Sequence, residues 1–114
     1  MKVKGKLVID SQTPSFTGAK VYVTLEDVGR IDAEAIIIHQ EILHDKAHSE
    51  GKYDFFEFQF ESAESNSIHP RYNLRAHVDI TGSGEVNEGD LVTTQSYPVR
   101  LGDSQLYKLK LKRV

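Results

Sequence analysis

His39, His44 and His48 fall within ten positions and are the residues whose types and spacing most plainly suggest chemistry. On a helix, His44 and His48 would share a face one turn apart, a spacing that holds Zn²⁺ or Cu²⁺ through neutral imidazoles. On strands that spacing no longer brings the rings together, and a solvated, histidine-rich hairpin is the plainer reading. Arg75, His77 and Asp79 alternate along one face of a strand and resemble a charge relay. Residues i and i+2 on such a face stand about 7 Å apart by strand rise, too far for direct hydrogen bonding. No G-x-S-x-G elbow supplies a nucleophile, so cross-strand pairing and solubility explain the row better. Gly82-Ser83-Gly84-Glu85-Val86-Asn87 begins like a phosphate-binding loop but lacks a third glycine and a following basic residue. Its neighbours Glu85, Glu88 and Asp90 would repel a phosphate, and the carboxylate spacing is not that of an EF-hand. A flexible hairpin loop is expected. Asp27 and Asp32 flank a turn, where Asx bonds account for them more simply than acid–base catalysis.

The stretch that must position these groups runs from Ile68 to Ile80. Tyr72, Leu74, Ala76, Val78 and Ile80 fall on one face; Asn73, Arg75, His77 and Asp79 fall on the other. Alternation of this kind marks a strand with one dry and one wet side. Pro70 precedes it where the chain turns. Tyr72 suits the tyrosine corner of a Greek-key sandwich, its hydroxyl bonding back to the preceding turn.

The rest of the chain repeats the pattern. Val3, Gly5, Leu7 and Ile9 alternate with lysines that discourage edge-to-edge pairing. Residues 11–18 read as a loop from their turn residues. Ala19, Val21, Val23 and Leu25 then point inward, and so do Phe56, Phe58 and Phe60, the largest aromatic contribution to the core. Residues 33–44 read two ways. As a helix, Asp32 would cap it, Glu34 would favour its first turn, and Ala35, Ile38 and Ile42 would line one face. As a strand, Ile36, Ile38, Gln40 and Ile42 share a face, and the isoleucine run is β-favoured. With every other segment β, a strand is expected. Leu91 to Ser96 is a short strand, Tyr97-Pro98 leaves regular pairing, and Gly102-Asp103 turns the chain. The last strand carries Tyr107, Leu109 and Leu111 inward. These segments predict a seven- to eight-stranded antiparallel β-sandwich, immunoglobulin-like or prealbumin-like, over 1–114 as one domain.

Composition sets outer bounds. A chain of 114 residues buries roughly two-thirds of its extended surface, enough for a core without staples. The sequence has no cysteine, which excludes disulfides, thiolate metal sites, cysteine nucleophiles and an N-terminal lipid-anchored cysteine. A net charge of −3 argues against a nucleic-acid binder. No window approaches a membrane span. The opening Met1-Lys2-Val3-Lys4-Gly5-Lys6 contains no hydrophobic signal segment. The expected location is therefore cytoplasmic if Met1 is the native start, and the cell envelope if an export signal preceded it.

Three groups of residues together resemble the YbaY/YscW-type family of bacterial lipoproteins, which includes pilot chaperones of type III secretion secretins. The first is Val3-x-Gly5-x-Leu7 followed by Ala19-x-Val21-x-Val23-x-Leu25-x-Asp27-Val28 and Asp32-Ala33. The second is Phe58-x-Phe60 leading to Ile68 and Tyr72-x-Leu74-Arg75-Ala76-x-Val78. The third is Asp90-Leu91, Thr93 and Tyr97-Pro98-Val99. The resemblance implies a small β-sandwich and a strand over Ala35 to Leu43. Members are typically exported and lipid-anchored, and the shared positions here are core and turn residues rather than a catalytic set. The expectation is a noncatalytic protein-binding or accessory module with no cofactor, meeting a protein partner at a sheet edge or in the groove between sheets. A weak homodimer is an alternative to a monomer. The competing expectation is a metal or small-ligand module built on His39, His44 and His48.

Overall fold

The computed structural model describes residues 1–30, 33–100, 102 and 105–114. Among these residues nine strands follow in chain order: β1 (Lys2–Ile9), β2 (Phe16–Asp27), β3 (Ile36–His48), β4 (Asp54–Glu61), β5 (Tyr72–Asp79), β6 (Leu91–Val92), β7 (Tyr97–Val99), β8 (Leu106–Lys110) and β9 (Lys112–Arg113). The small sheet has the order β4-β1-β8. The large sheet has the order β3-β2-β5-β6-β9, with β7 also pairing β5. Among the described residues there is no helix, and so none long and apolar enough to cross a membrane.

The inward faces follow from alternation. Val3, Leu7 and Ile9 of β1 and Phe56, Phe58 and Phe60 of β4 are buried, with Tyr107 and Leu109 of β8 beside them. Opposite them lie Val21, Val23 and Leu25 of β2 and Leu74, Ala76 and Val78 of β5, all but Ala76 wholly buried. Each fully buried leucine or phenylalanine contributes about 2 kcal/mol by leaving water. Gly5 occupies the centre of β1 because a Cβ there would run into the Tyr107 carbonyl oxygen and stand 2.6 Å from the Phe58 ring. A glycine weakens a strand interior, but here it lets β1, β4 and β8 close up.

The all-β sandwich and the strand over the isoleucine run match expectation. Four details differ. β1 and β8 are parallel, so the small sheet is mixed rather than antiparallel. β2 begins at Phe16, inside the expected loop, because Gly18 at φ 65° absorbs a register shift between Phe16 and Ala19. Tyr97-Pro98 does not leave pairing: β7 joins β5 through Tyr72↔Val99 and Leu74↔Tyr97. Proline is tolerated there because β7 is a short edge strand. The expected strand from Leu91 ends at Val92, after which the Thr93 hydroxyl accepts the Ala76 amide at 3.1 Å. Asp32 and Asp103 lie outside the described residues.

β3 terminates the large sheet and pairs only with β2 among the described residues. It is not straight. The pairs Leu25↔His39 and Glu26↔Ile37 leave Ile38 as an extra residue, a β-bulge. A second irregularity near Asp45 coincides with φ 53° at that residue, a conformation aspartate tolerates better than most. Between them, Val21↔Leu43 to Leu25↔His39 run in unbroken register.

Candidate functional site

The extended course of β3 separates the three histidines. His39 and His48 stand roughly 25–30 Å apart at the rise of a strand, and His44 lies exposed between them. His39 stacks on Phe60 with ring centroids 4.4 Å apart, and its Nε2 meets Glu41 Oε1 at 3.0 Å. His48 is buried beneath the loop before β2. Its Nδ1 is 2.5 Å from Asp54 Oδ2, and its Nε2 is 3.0 Å from the Thr13 carbonyl. Both ring nitrogens therefore face oxygen atoms of the surrounding chain. Each of these two histidines has its own local partners, and the three rings do not converge.

Convergence occurs at the end of β5. His77, Asp79 and Asp90 bring one ligand-capable atom each within 4.8 Å of one another. Arg75, His77 and Asp79 do not bond one another, although strand rise does not forbid such a bond, as His39 and Glu41 show. Arg75 Nε instead donates to Glu26 Oε2 across the sheet at 3.0 Å, and His77 Nε2 meets Asp90 Oδ2 at 2.8 Å. The pairing with Asp90 escaped sequence reasoning because it depends on where the loop over 81–90 lands. That loop is organised rather than loose. Asp79 accepts the amides of Gly82 and Gly84, and Asp90 accepts those of Ile80 and Asn87. Asp79 is consequently buried, although strand alternation places it on the wet face. Burial alone would push the Asp90 carboxyl up, but His77 and the two amides outweigh it and hold it below the ordinary value. Since all four carboxylate oxygens already accept an N–H, the cluster works as a pair of clamps on the loop.

A second buried carboxylate organises the opposite end of β5. Asp27 accepts the Ser65 hydroxyl at 2.6 Å, the Gly29 amide at 2.9 Å and the Arg71 amide at 3.0 Å. Those donors, with Ser65 first, hold its carboxyl far below the ordinary range against the opposing effect of burial. The Gly29 bond is the Asx turn that the sequence suggests at this acid. Gly29 has no room for a side chain, because a Cβ would stand 2.5 Å from the His69 carbonyl. Beside it the Tyr72 hydroxyl accepts the Ser65 amide at 2.9 Å, which is the bond expected of a tyrosine corner.

These bonds fix the loop over 62–71 against the start of β3 and leave an open groove of about 680 Å³. Arg30, Ile36, Ile37, Ser65, Ile68 and His69 contribute to its wall. Ile68 is 90% exposed and Ile37 55% exposed, so the groove offers large apolar side chains to solvent. Exposed apolar clusters of this kind, rimmed by polar groups, are features of binding surfaces. The groove is continuous with the unpaired edge of β3.

Among solved structures, the chain is similar to an alternative pilotin from the type II secretion system of Vibrio cholerae. The TM-score is 0.70 at 21% sequence identity, over 100% of this chain and 96% of that one. No protein-family model matches the chain, and no curated protein does. The YbaY/YscW resemblance thus has no family match behind it, and the finding is coarser: the fold is one that a secretion-system pilotin also has.

Proposed function

We propose that the protein is a noncatalytic, pilotin-like accessory module that holds an apolar segment of a secretion-apparatus partner at the cell envelope. The observation that carries this reading is the fold likeness to a pilotin along the whole chain. The groove between β3 and the loop over 62–71 is the seat the reading assigns to the partner, because Ile37 and Ile68 there offer apolar contact that the fold itself does not use. A YbaY/YscW-type pilot chaperone is the finer form of the same proposal. The buried acids favour a structural over a catalytic role, since Asp27, Asp79 and Asp90 all accept main-chain amides that hold loops.

The test is affinity capture from the native host with wild-type chain and with Ile37→Asp and Ile68→Asp. The expected result is one envelope secretion component retained by the wild type and lost by both variants, with melting temperatures unchanged. Capture of no specific partner, together with measurable turnover of small substrates, would sink the proposal.

A further inference from the structure

We propose that β3 is a self-association edge: two copies pair their β3 strands antiparallel about a two-fold axis through Gln40. The inference goes beyond partner binding at the groove and stands on the edge strand alone.

An edge strand exposes a row of unpaired N–H and C=O groups, and soluble proteins commonly blunt such edges with lysine or proline. β3 carries neither between Ile36 and His44, whereas β8, an edge of the small sheet, carries Lys108 and Lys110. Instead it exposes Ile36, Ile37 and Ile42, at 36%, 55% and 38%.

What would cover this edge is written in its own sequence. The stretch Ile37–Leu43 reads Ile-Ile-His-Gln-Glu-Ile-Leu and is chemically palindromic about Gln40. An isologous antiparallel pair places residue i opposite its mirror position in the other copy, on the same face of the extended sheet. Centred on Gln40, His39 meets Glu41 of the second copy and Glu41 meets His39, while the two Gln40 side chains face each other. On the flanks, where the bulge at Ile38 interrupts the one-to-one ladder, Ile37 and Ile38 of one copy lie beside Ile42 and Leu43 of the other. Hydrogen-bonded polar and apolar cross-strand pairs are the stabilising kind. Neighbouring registers lose this match. Centring on Glu41 sets the two Glu41 side chains against each other and Gln40 against Ile42; centring on His39 sets Ile38 against Gln40 and Ile37 against Glu41. The three central pairs fall within the stretch of β3 that runs regularly against β2. Glu41 already reaches His39 at 3.0 Å within one copy, so pairing closes a four-membered hydrogen-bonding array across the axis. The bulge at Ile38 limits the length of the ladder and makes the association reversible rather than an open-ended fibre.

Sedimentation velocity on the purified chain from micromolar to millimolar concentration tests this directly. The expected result is a monomer–dimer equilibrium that Ile42→Lys weakens by about tenfold or more. The register is tested by His39→Glu and Glu41→Lys. His39→Glu sets carboxylate against carboxylate and sediments as a monomer, and Glu41→Lys removes the carboxylate that accepts from His39 and weakens the dimer. A one-to-one mixture restores the dimer, because the carboxylate introduced at position 39 of one copy then faces the ammonium introduced at position 41 of the other. The second cross-strand pair in that mixed dimer is the native one, Glu41 against His39. Circular dichroism confirms that each variant folds, and Ile42→Lys keeps the edge testable even where a change at His39, stacked on Phe60, disturbs packing. A wild type that stays monomeric throughout, or a dimer insensitive to Ile42→Lys, overturns the proposal. A mixture of folded charge variants that stays monomeric overturns the register. Neither outcome bears on capture of a partner at the groove, which Ile68→Asp reads separately.

Discussion

Asp27 on β2 accepts the main-chain amide of Arg71, which precedes β5, at 3.0 Å across 44 residues of chain. The same carboxylate takes the Ser65 hydroxyl, so one buried charge joins β2, the loop over 62–71 and the entry to β5. Asparagine at this position keeps the shape and an Oδ1 for both amides, but it loses the charge and sets an Nδ2 donor against the Ser65 hydroxyl that donated to the carboxylate. Asp27→Asn is expected to cost about 3 kcal/mol, since hydrogen bonds to a charged group are each worth about 1.5–3 kcal/mol. Urea denaturation measures it. A loss below about 1 kcal/mol would show that water replaces the carboxylate readily and that the loop does not depend on it.

The acid limb of stability follows from the same chemistry. Asp27 and Asp90 both have carboxyls held below the ordinary value of 3.8. The unfolded chain therefore binds these protons at a higher pH than the folded one. Their stabilisation is fully present above the unfolded value and drains away as pH falls toward the lowered folded values. Each such group adds a slope of up to about 1.4 kcal/mol per pH unit within that window. Denaturation midpoints taken from neutral pH downward are expected to stay level to about pH 5 and then fall. The fall should be shallower in Asp27→Asn. An equally steep fall in that variant would assign the acid limb to other carboxylates.

Gly5 supplies a test of packing rather than charge. A methyl group there collides with the Tyr107 carbonyl, which is main chain, and with Phe58, whose neighbours leave it little room to turn. Gly5→Ala is expected to destabilise by about 1–3 kcal/mol, the usual cost of overpacking a core, despite alanine's smaller loss of backbone freedom. The parallel β1–β8 pairing should loosen first, seen as faster amide exchange over 106–110. A neutral effect would mean that β8 shifts outward without penalty.

Much of this architecture is legible in the sequence because alternation is a local property. Tyr72, Leu74, Ala76 and Val78 announce β5, Val21, Val23 and Leu25 announce β2, and Tyr72 even announces its bond to the preceding turn. The isoleucine run reads correctly as β3 once its neighbours are taken as strands. What alternation cannot carry is the return of the chain from afar. The parallel contact of β8 with β1 and the pairing of Pro98 with Asn73 depend on chain path. The candidate site divides in the same way. Asp27 is readable as a turn acid from Gly29, two residues on, but its bonds to Ser65 and Arg71 are not. The closeness of His39, His44 and His48 in sequence is undone by the extended strand. His77 finds Asp90 only because a glycine-bearing loop folds back over Asp79.

That loop yields the most discriminating prediction. His77 Nε2 and Asp90 Oδ2 stand 2.8 Å apart with the carboxylate fully buried and the imidazole side chain 12% exposed. Removing either partner leaves a buried polar group facing the other, so Asp90→Asn is expected to cost about 3 kcal/mol. His77→Gln should cost less, because the amides of Ile80 and Asn87 still hold Asp90. The double variant should be less destabilised than the sum, by a coupling of about 1–3 kcal/mol. Hydrogen exchange then separates the two acids. In Asp90→Asn the amides of Ile80 and Asn87 should exchange faster, while those of Gly82 and Gly84, held by Asp79, stay protected. If all four amides lose protection together, the loop is one cooperative unit, and Asp79 does not act as an independent clamp.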